Sequence, residues 1–315
     1  MNVTVILCTY NRCHSLPAAL ESVAASKIPA SVEWEVLVVD NNSADKTRDV
    51  VEEFTRRHPG RFRYLFEPRQ GKSNALNTGI REARGEILAF MDDDVMVDAN
   101  WLESLLSVFQ NPAWAGVGGR ILPERDFTPP AWLSLENKYA LAPLAIFDLG
   151  LQPGEMLEAP FGTNMAFRRG VFDKVGGFRT DLGPRPGSET RSEDTEFGFR
   201  VLASGFRLWY EPSAIVYHSL PEHRLRKGYF LAWWYDKARA DIRVTGDPDE
   251  HQFHVAGVPL NVFRRLVVWT FRWATSLKPD ERFSSKLKVW SKAGEIIELH
   301  RISVKSKQET HHRNA

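Results

Sequence analysis

Ile87-Leu88-Ala89-Phe90-Met91-Asp92-Asp93-Asp94-Val95 is an apolar run that stops on three adjacent carboxylates. The run has the length and content of a buried strand. Carboxylates crowded at its end repel one another and are costly to desolvate. A nearby cation relieves that cost. Oxygen donors suit Mg²⁺ or Mn²⁺, which commonly hold a substrate's phosphates with few protein ligands. The competing reading is an acidic turn ahead of the helical pattern that opens at Trp101-Leu102, with Asp98-Ala99-Asn100 as its cap.

Three other segments bear on the choice. Val3-Thr4-Val5-Ile6-Leu7-Cys8 runs into the polar turn Thr9-Tyr10-Asn11-Arg12. Trp34-Glu35-Val36-Leu37-Val38-Val39 ends in Asp40-Asn41-Asn42-Ser43. Gly71-Lys72-Ser73-Asn74-Ala75-Leu76-Asn77-Thr78-Gly79-Ile80 reads as a turn opening a helix. Continuous β-branched runs alternating with helices predict a parallel α/β sheet. Ligands of such sheets bind outside the carboxyl ends of the strands. Thr9, Asp40 and the three aspartates should therefore line one crevice. Gly71-Lys72-Ser73 is not a P-loop, because Phe66 stands where the first glycine is required.

The chain has 315 residues and 43% apolar content, enough for a full core. Its two cysteines, Cys8 and Cys13, are too few for a disulfide scaffold. Val3 to Cys8 is too short and lacks the basic flank of a signal peptide, and no apolar run has membrane-spanning length. A cytoplasmic location is expected. Net charge is +1, with 21 Lys/Arg against 28 Asp/Glu through Phe199 and 20 against 12 beyond it. Five of the ten tryptophans lie from Trp233 onward. Pro259 to Thr275 reads PLNVFRRLVVWTFRWAT, a basic aromatic helix that fits either peripheral contact with a membrane face or packing on the core or another subunit. No nucleic-acid motif accompanies the charge.

In order, the motifs VILCTYNR, DNNS, GKSNALNTGI, FMDDDV, GGR, FGTNMAFRR, VGGF and SEDTEFGFR resemble the family-2 nucleotide-sugar glycosyltransferases of GT-A fold. The resemblance covers about residues 3–200, with IVYHSLPEHR extending it more weakly to 224. It implies an α/β fold with a mixed, Rossmann-like sheet flanked by helices and followed by a C-terminal helical appendage. The expected boundaries are 1–225 for the catalytic domain, with a nucleotide-binding half to 120 and an acceptor half from 121. The appendage is expected over 226–303 and a flexible tail over 304–315.

The resemblance also implies roles. Thr9, Tyr10, Asn11, Arg12, Asp40, Asn42, Lys72, Asn77, Asp92 and Asp93 fall in the nucleotide-binding motifs, with Asp40 on the base and Asp92 on the ribose. Asp94 and His218 are the expected ligands of Mn²⁺ or Mg²⁺. Gly162, Asn164, Arg168 and Glu193 fall beside the donor sugar or acceptor. Asp194 is the expected general base of an inverting transfer from a nucleoside diphosphate sugar to one acceptor hydroxyl. The acceptor is expected to be a carbohydrate or lipid-linked glycan of the cell envelope. The QxxRW motif and membrane spans of processive relatives are absent, which argues for single-sugar addition. A metal-dependent nucleotidyltransferase would need a glycine-rich loop after the first strand, and CTYNRCHS contains no glycine. A non-catalytic sugar-nucleotide-binding protein of the same fold would be favoured by loss of Asp94 or Asp194, and both are present.

Overall fold

The structure is a computed structural model that describes residues 2–313 except 125, 187–190, 248 and 250, with side chains through 305. In chain order it begins β1 (Asn2–Thr9), α1 (Leu16–Ala24), β2 (Glu33–Asp40), α2 (Thr47–Arg57), β3 (Phe62–Phe66), α3 (Lys72–Glu82) and β4 (Ile87–Asp92). There follow β5 (Val95–Val97), α4 (Trp101–Val108), β6 (Trp114–Pro123), α5 (Lys138–Leu141), β7 (Gly154–Met156), β8 (Asn164–Arg168), α6 (Arg169–Val175), α7 (Glu193–Ala203) and β9 (Arg207–His218). The remainder is α8 (Lys227–Thr245), β10 (His254–Val255), β11 (Val258–Pro259), α9 (Leu260–Thr275) and α10 (Pro279–Arg313).

Two compact units result. The first comprises residues 1–127, 145–188 and 193–220. Its sheet has the order β3-β2-β1-β4-β8-β6-β9-β5, with β7 on β9. The strands β3, β2, β1 and β4 are mutually parallel. Helices on both faces cover β1, β2 and β4, so their side chains are buried almost without interruption, as the apolar runs predicted. At β4 the direction reverses, because β8 pairs with it antiparallel. The register sets Thr9 opposite Asp40 and Cys8 opposite Asp92, so the carboxyl ends of three strands lie level. Met91 meets Asn164, which brings the amino end of β8 to that same edge.

The second unit comprises residues 128–144, 189–192 and 221–315. Residues 128–144 were expected in the acceptor half of the catalytic domain and instead join the C-terminal helices. Aromatic packing explains the difference. The Trp132 ring lies 5.1 Å from that of Phe230 and 4.7 Å from that of Phe283. Tyr139 stacks on Trp234 at 3.6 Å. Glu298 of α10 is wholly buried and accepts hydrogen bonds from Arg239 and Arg243 of α8. Helix α10 continues to Arg313, through the residues where a tail was expected. Residues 304–313 contain no glycine or proline and several good helix formers. Among the described residues no helix is long and apolar enough to cross a membrane.

Candidate active site

The turns after β1 and β2 are cross-linked before any ligand is considered. Asn11 and Asn42 both adopt left-handed backbone, with φ of 52° and 66°, a conformation asparagine tolerates better than most residues. The Asn11 amide N–H donates to Ser43 Oγ at 2.8 Å, and its side-chain oxygen accepts from the Ala44 N–H. Buried Asp40 accepts from the Ser43 N–H and from the Tyr64 hydroxyl, both at 2.9 Å. Burial and the Asp40 charge raise the Tyr64 pKa, so the hydroxyl remains a donor. Asn41 donates to the Arg69 carbonyl at 2.7 Å and accepts from the Gly71 N–H at 2.7 Å. Gly71 has φ of 125°, where a side chain would be strained. That turn launches α3 with Lys72 aimed along the strand ends. Tyr10 is exposed beside these turns.

Lys72 is the hinge of the charge arrangement. Its Nζ donates to Asp92 Oδ1 at 2.5 Å and lies 3.9 Å from Glu193 Oε1. Burial opposes its charge, but Asp92 and Glu193 outweigh that and raise its pKa. The other oxygen of Asp92 accepts from the Thr163 hydroxyl at 2.7 Å. Arg12 lies 3.9 Å from both Asp93 and Asp94. His218 Nε2 is 3.3 Å from Asp94 Oδ1. Burial, and then the Asp94 charge, push the Asp93 carboxyl above its usual range, while Thr9 and Arg12 pull it back.

Asp194 occupies the first turn of α7. Its Oδ2 accepts from the Gly162 N–H at 2.9 Å and its Oδ1 from the Thr195 N–H at 2.7 Å. Buried Glu193 has a raised pKa, from burial first and the Asp194 charge second.

The first unit thus gathers Thr9, Arg12, Asp40, Lys72, Asp92, Asp93, Asp94, Gly162, Glu193, Asp194 and His218 at the carboxyl edge of its parallel strands. Three expected contacts belong elsewhere. Asn77 uses its side chain as a clamp, donating to the Phe178 carbonyl and accepting from the Phe178 N–H, each at 2.8 Å. Asn164 lies at the correct edge but is wholly buried. Its amide donates to the carbonyls of Arg120 and Ala214 and accepts from the Trp101 indole, all at 2.8 Å. Arg168 pairs with Ile87, the first residue of β4, so it sits at the opposite edge. There it donates to the carbonyls of Phe109 and Trp114 just after α4. Tyr64, Asn41 and Thr163 were not among the expected site residues. Asn41 and Thr163 had a signal, their places between expected residues in DNNS and FGTN, and Tyr64 had none.

Metal fit can be judged from the donors. Among the described residues no three acidic, histidine or cysteine side chains cluster closely enough to hold an ion unaided. Asp94 and His218 nevertheless present a carboxylate and an imidazole 3.3 Å apart, beside buried Asp93, whose charge Arg12 only partly offsets. Two protein donors and excess negative charge suit Mg²⁺ or Mn²⁺ completed by diphosphate oxygens and water.

The sequence profile of glycosyl transferase family 2 matches residues 4–176. Succinoglycan biosynthesis protein ExoM of Rhizobium meliloti is 28% identical over 234 residues, covering 74% of this chain and 70% of its own. The glucosyl-dolichyl phosphate glucuronosyltransferase of Haloferax volcanii is 28% identical over 251 residues, covering 77% and 78%. Among solved structures, the mannosyltransferase PcManGT of Pyrobaculum calidifontis, in complex with GDP-Man and Mn²⁺, superposes with a TM-score of 0.58 at 22% identity. That match covers 96% of this chain and 75% of the other, and it shows the shared fold. With the profile spanning more than half of its length, the chain belongs to glycosyl transferase family 2 and is a glycosyltransferase.

Proposed function

We propose that this enzyme moves one sugar from a nucleoside diphosphate donor to an acceptor hydroxyl, inverting the anomeric configuration. One observation carries the reading. Consecutive residues Gly162 and Thr163 hold Asp194 and Asp92, and Lys72 reaches from Asp92 to Glu193. The candidate base and the candidate ribose-side carboxylate are thereby held by two consecutive residues immediately before β8.

Asp40, braced by Tyr64 and the Ser43 N–H, receives the nucleotide base. Thr9, Tyr10, Asn11 and Asn42 shape the same end of the crevice. Asp92 reaches the ribose with the lone pairs that Lys72 and Thr163 leave open. Asp94 and His218 would hold Mn²⁺ or Mg²⁺. Such an ion, when bound, neutralises charge that develops on the departing diphosphate. Arg12, now facing Asp93 and Asp94, is placed to follow that charge. Asp194 takes the acceptor hydroxyl proton as the oxygen bonds the anomeric carbon and the diphosphate leaves. The Gly162 and Thr195 N–H groups fix the position of this base, and Lys72 balances the charge of the neighbouring Asp92 and Glu193.

The names of the relatives favour a glycan of the cell envelope, including a lipid-linked one, as acceptor. The test is a panel of nucleotide sugars scored by thermal shift with and without chelator, followed by NMR of the product. A single donor should stabilise the protein in a metal-dependent way and give a product of opposite anomeric configuration. A retained configuration would overturn the assignment of Asp194.

A further inference from the structure

We propose that α9 and the hairpin preceding it bind the surface of an anionic lipid bilayer. Seven of the seventeen large hydrophobic side chains exposed on the described chain lie between residues 253 and 277. On α9, Leu260, Arg264, Val267 and Phe271 follow the spacing of one helical stripe. Val267 and Phe271 are each 67% exposed, and Leu277, just past the helix end, is 97% exposed. Phe253 extends the same region, because its carbonyl accepts from the Leu260 N–H.

The opposite face is already occupied. Val262 is buried, Lys288 of α10 sits 3.9 Å above the Trp269 ring, and Trp273 packs edge-on to Trp290. Packing against α10 therefore accounts for one side of α9 only. The outward side is a convex mixture of apolar groups and cations. Leu260 to Thr275 contains Arg264, Arg265 and Arg272 and no acid, although Arg265 also lies 4.0 Å from Asp249.

Charge and shape select the occupant. A second copy laid on this face would set arginine against arginine. An anionic headgroup layer offers phosphates to the arginines and acyl chains to Val267 and Phe271 at once. A helix of this size lies in the interface and sinks its apolar side to a depth of about 5–10 Å. This surface belongs to the C-terminal unit and does not rest on the catalytic reading.

The experiment is vesicle sedimentation of the full chain, with phosphatidylcholine alone and with phosphatidylcholine containing phosphatidylserine. The protein should sediment with the anionic vesicles at low salt and be released at high salt, since exposed charges are screened beyond about 10 Å at 0.1 M. The double substitution Val267→Asp/Phe271→Asp should weaken binding at least tenfold while leaving the thermal melt unchanged. Arg264→Gln/Arg272→Gln should remove the preference for anionic over neutral vesicles. Equal recovery in the supernatant with both vesicle types at low salt overturns the proposal. So does binding that survives the double substitution. A concentration-dependent dimer in sedimentation velocity that the double substitution abolishes, without vesicle binding, would identify the face as an interface between copies.

Discussion

Asp194 is held by two backbone N–H groups, from Gly162 and Thr195, which give its carboxylate a fixed direction. Asp194→Asn keeps the shape and removes the proton acceptor. Turnover should fall by roughly 10²-fold or more, the usual scale for a positioned base, while calorimetric affinity for the nucleoside diphosphate stays near wild type. Asp94→Asn should behave in the opposite sense. It should remove most of the gain in that affinity that Mn²⁺ or Mg²⁺ provides, leaving the chelator-treated value unchanged. Asn164→Ala separates structure from chemistry. It strands the Trp101 N–H and two carbonyls in a buried place, a loss of about 1–3 kcal/mol per unsatisfied group, which a lower denaturation midpoint would reveal. At this scale the sequence disclosed residue type and not partner. Asn164 and Arg168 sit in the FGTNMAFRR motif beside candidate site residues. Only the buried hydrogen bonds of the first and the antiparallel register of the second show that one is engaged within the fold and the other lies at the opposite edge.

Between elements, α3 carries both a candidate site residue and a polar residue engaged within the fold. Lys72 at its start points into the charge cluster, and Asn77 clamps residues 177–178. A Cβ on Gly177 would lie 2.3 Å from Asn77 Oδ1. Gly177→Ala should therefore destabilise the protein by about 1–3 kcal/mol, the range of overpacked sites. Asn77→Ala in the same chain should recover part of that loss, which a double-mutant cycle of unfolding free energies would register. In the C-terminal unit, burial opposes the Glu298 charge, but Arg243 and Arg301 outweigh it and hold the carboxyl down to about 2. A glutamate's ordinary value is about 4.3. Its ionised form thus stabilises the fold fully above that pH, and the contribution is lost as pH falls toward 2. Circular dichroism melts should decline over that window, and Glu298→Gln should flatten the decline while lowering stability at neutral pH. The strands β1, β2 and β4 were legible because unbroken apolar runs have few other uses. The pairing of α8 with α10 was not, since Glu298 and its arginines look like ordinary surface charges until burial is known.

For the whole molecule, the motif order pointed to the family, and the alternation of apolar strands with helices pointed to the sheet edge where the candidate residues gather. Neither gave the partition into units, because Trp132 and Tyr139 carry no mark of which aromatic neighbours they will find. The site itself is spread along the sequence from Thr9 to His218, and its two sides meet where β4 and β8 run in opposite directions. That seam has a consequence in time. On a ribosome the parallel strands can pair once residue 94 has emerged, which supplies Asp40, Lys72 and the acid cluster. Asp194 and His218 come up to 124 residues later. At 5–20 residues per second the interval is about 6–25 s. Until Asp194 emerges, the nascent chain presents half of the candidate site, with Lys72 as the nearest neutralising group for Asp92 and the candidate base not yet in place. Sugar transfer must await the last strand of the sheet.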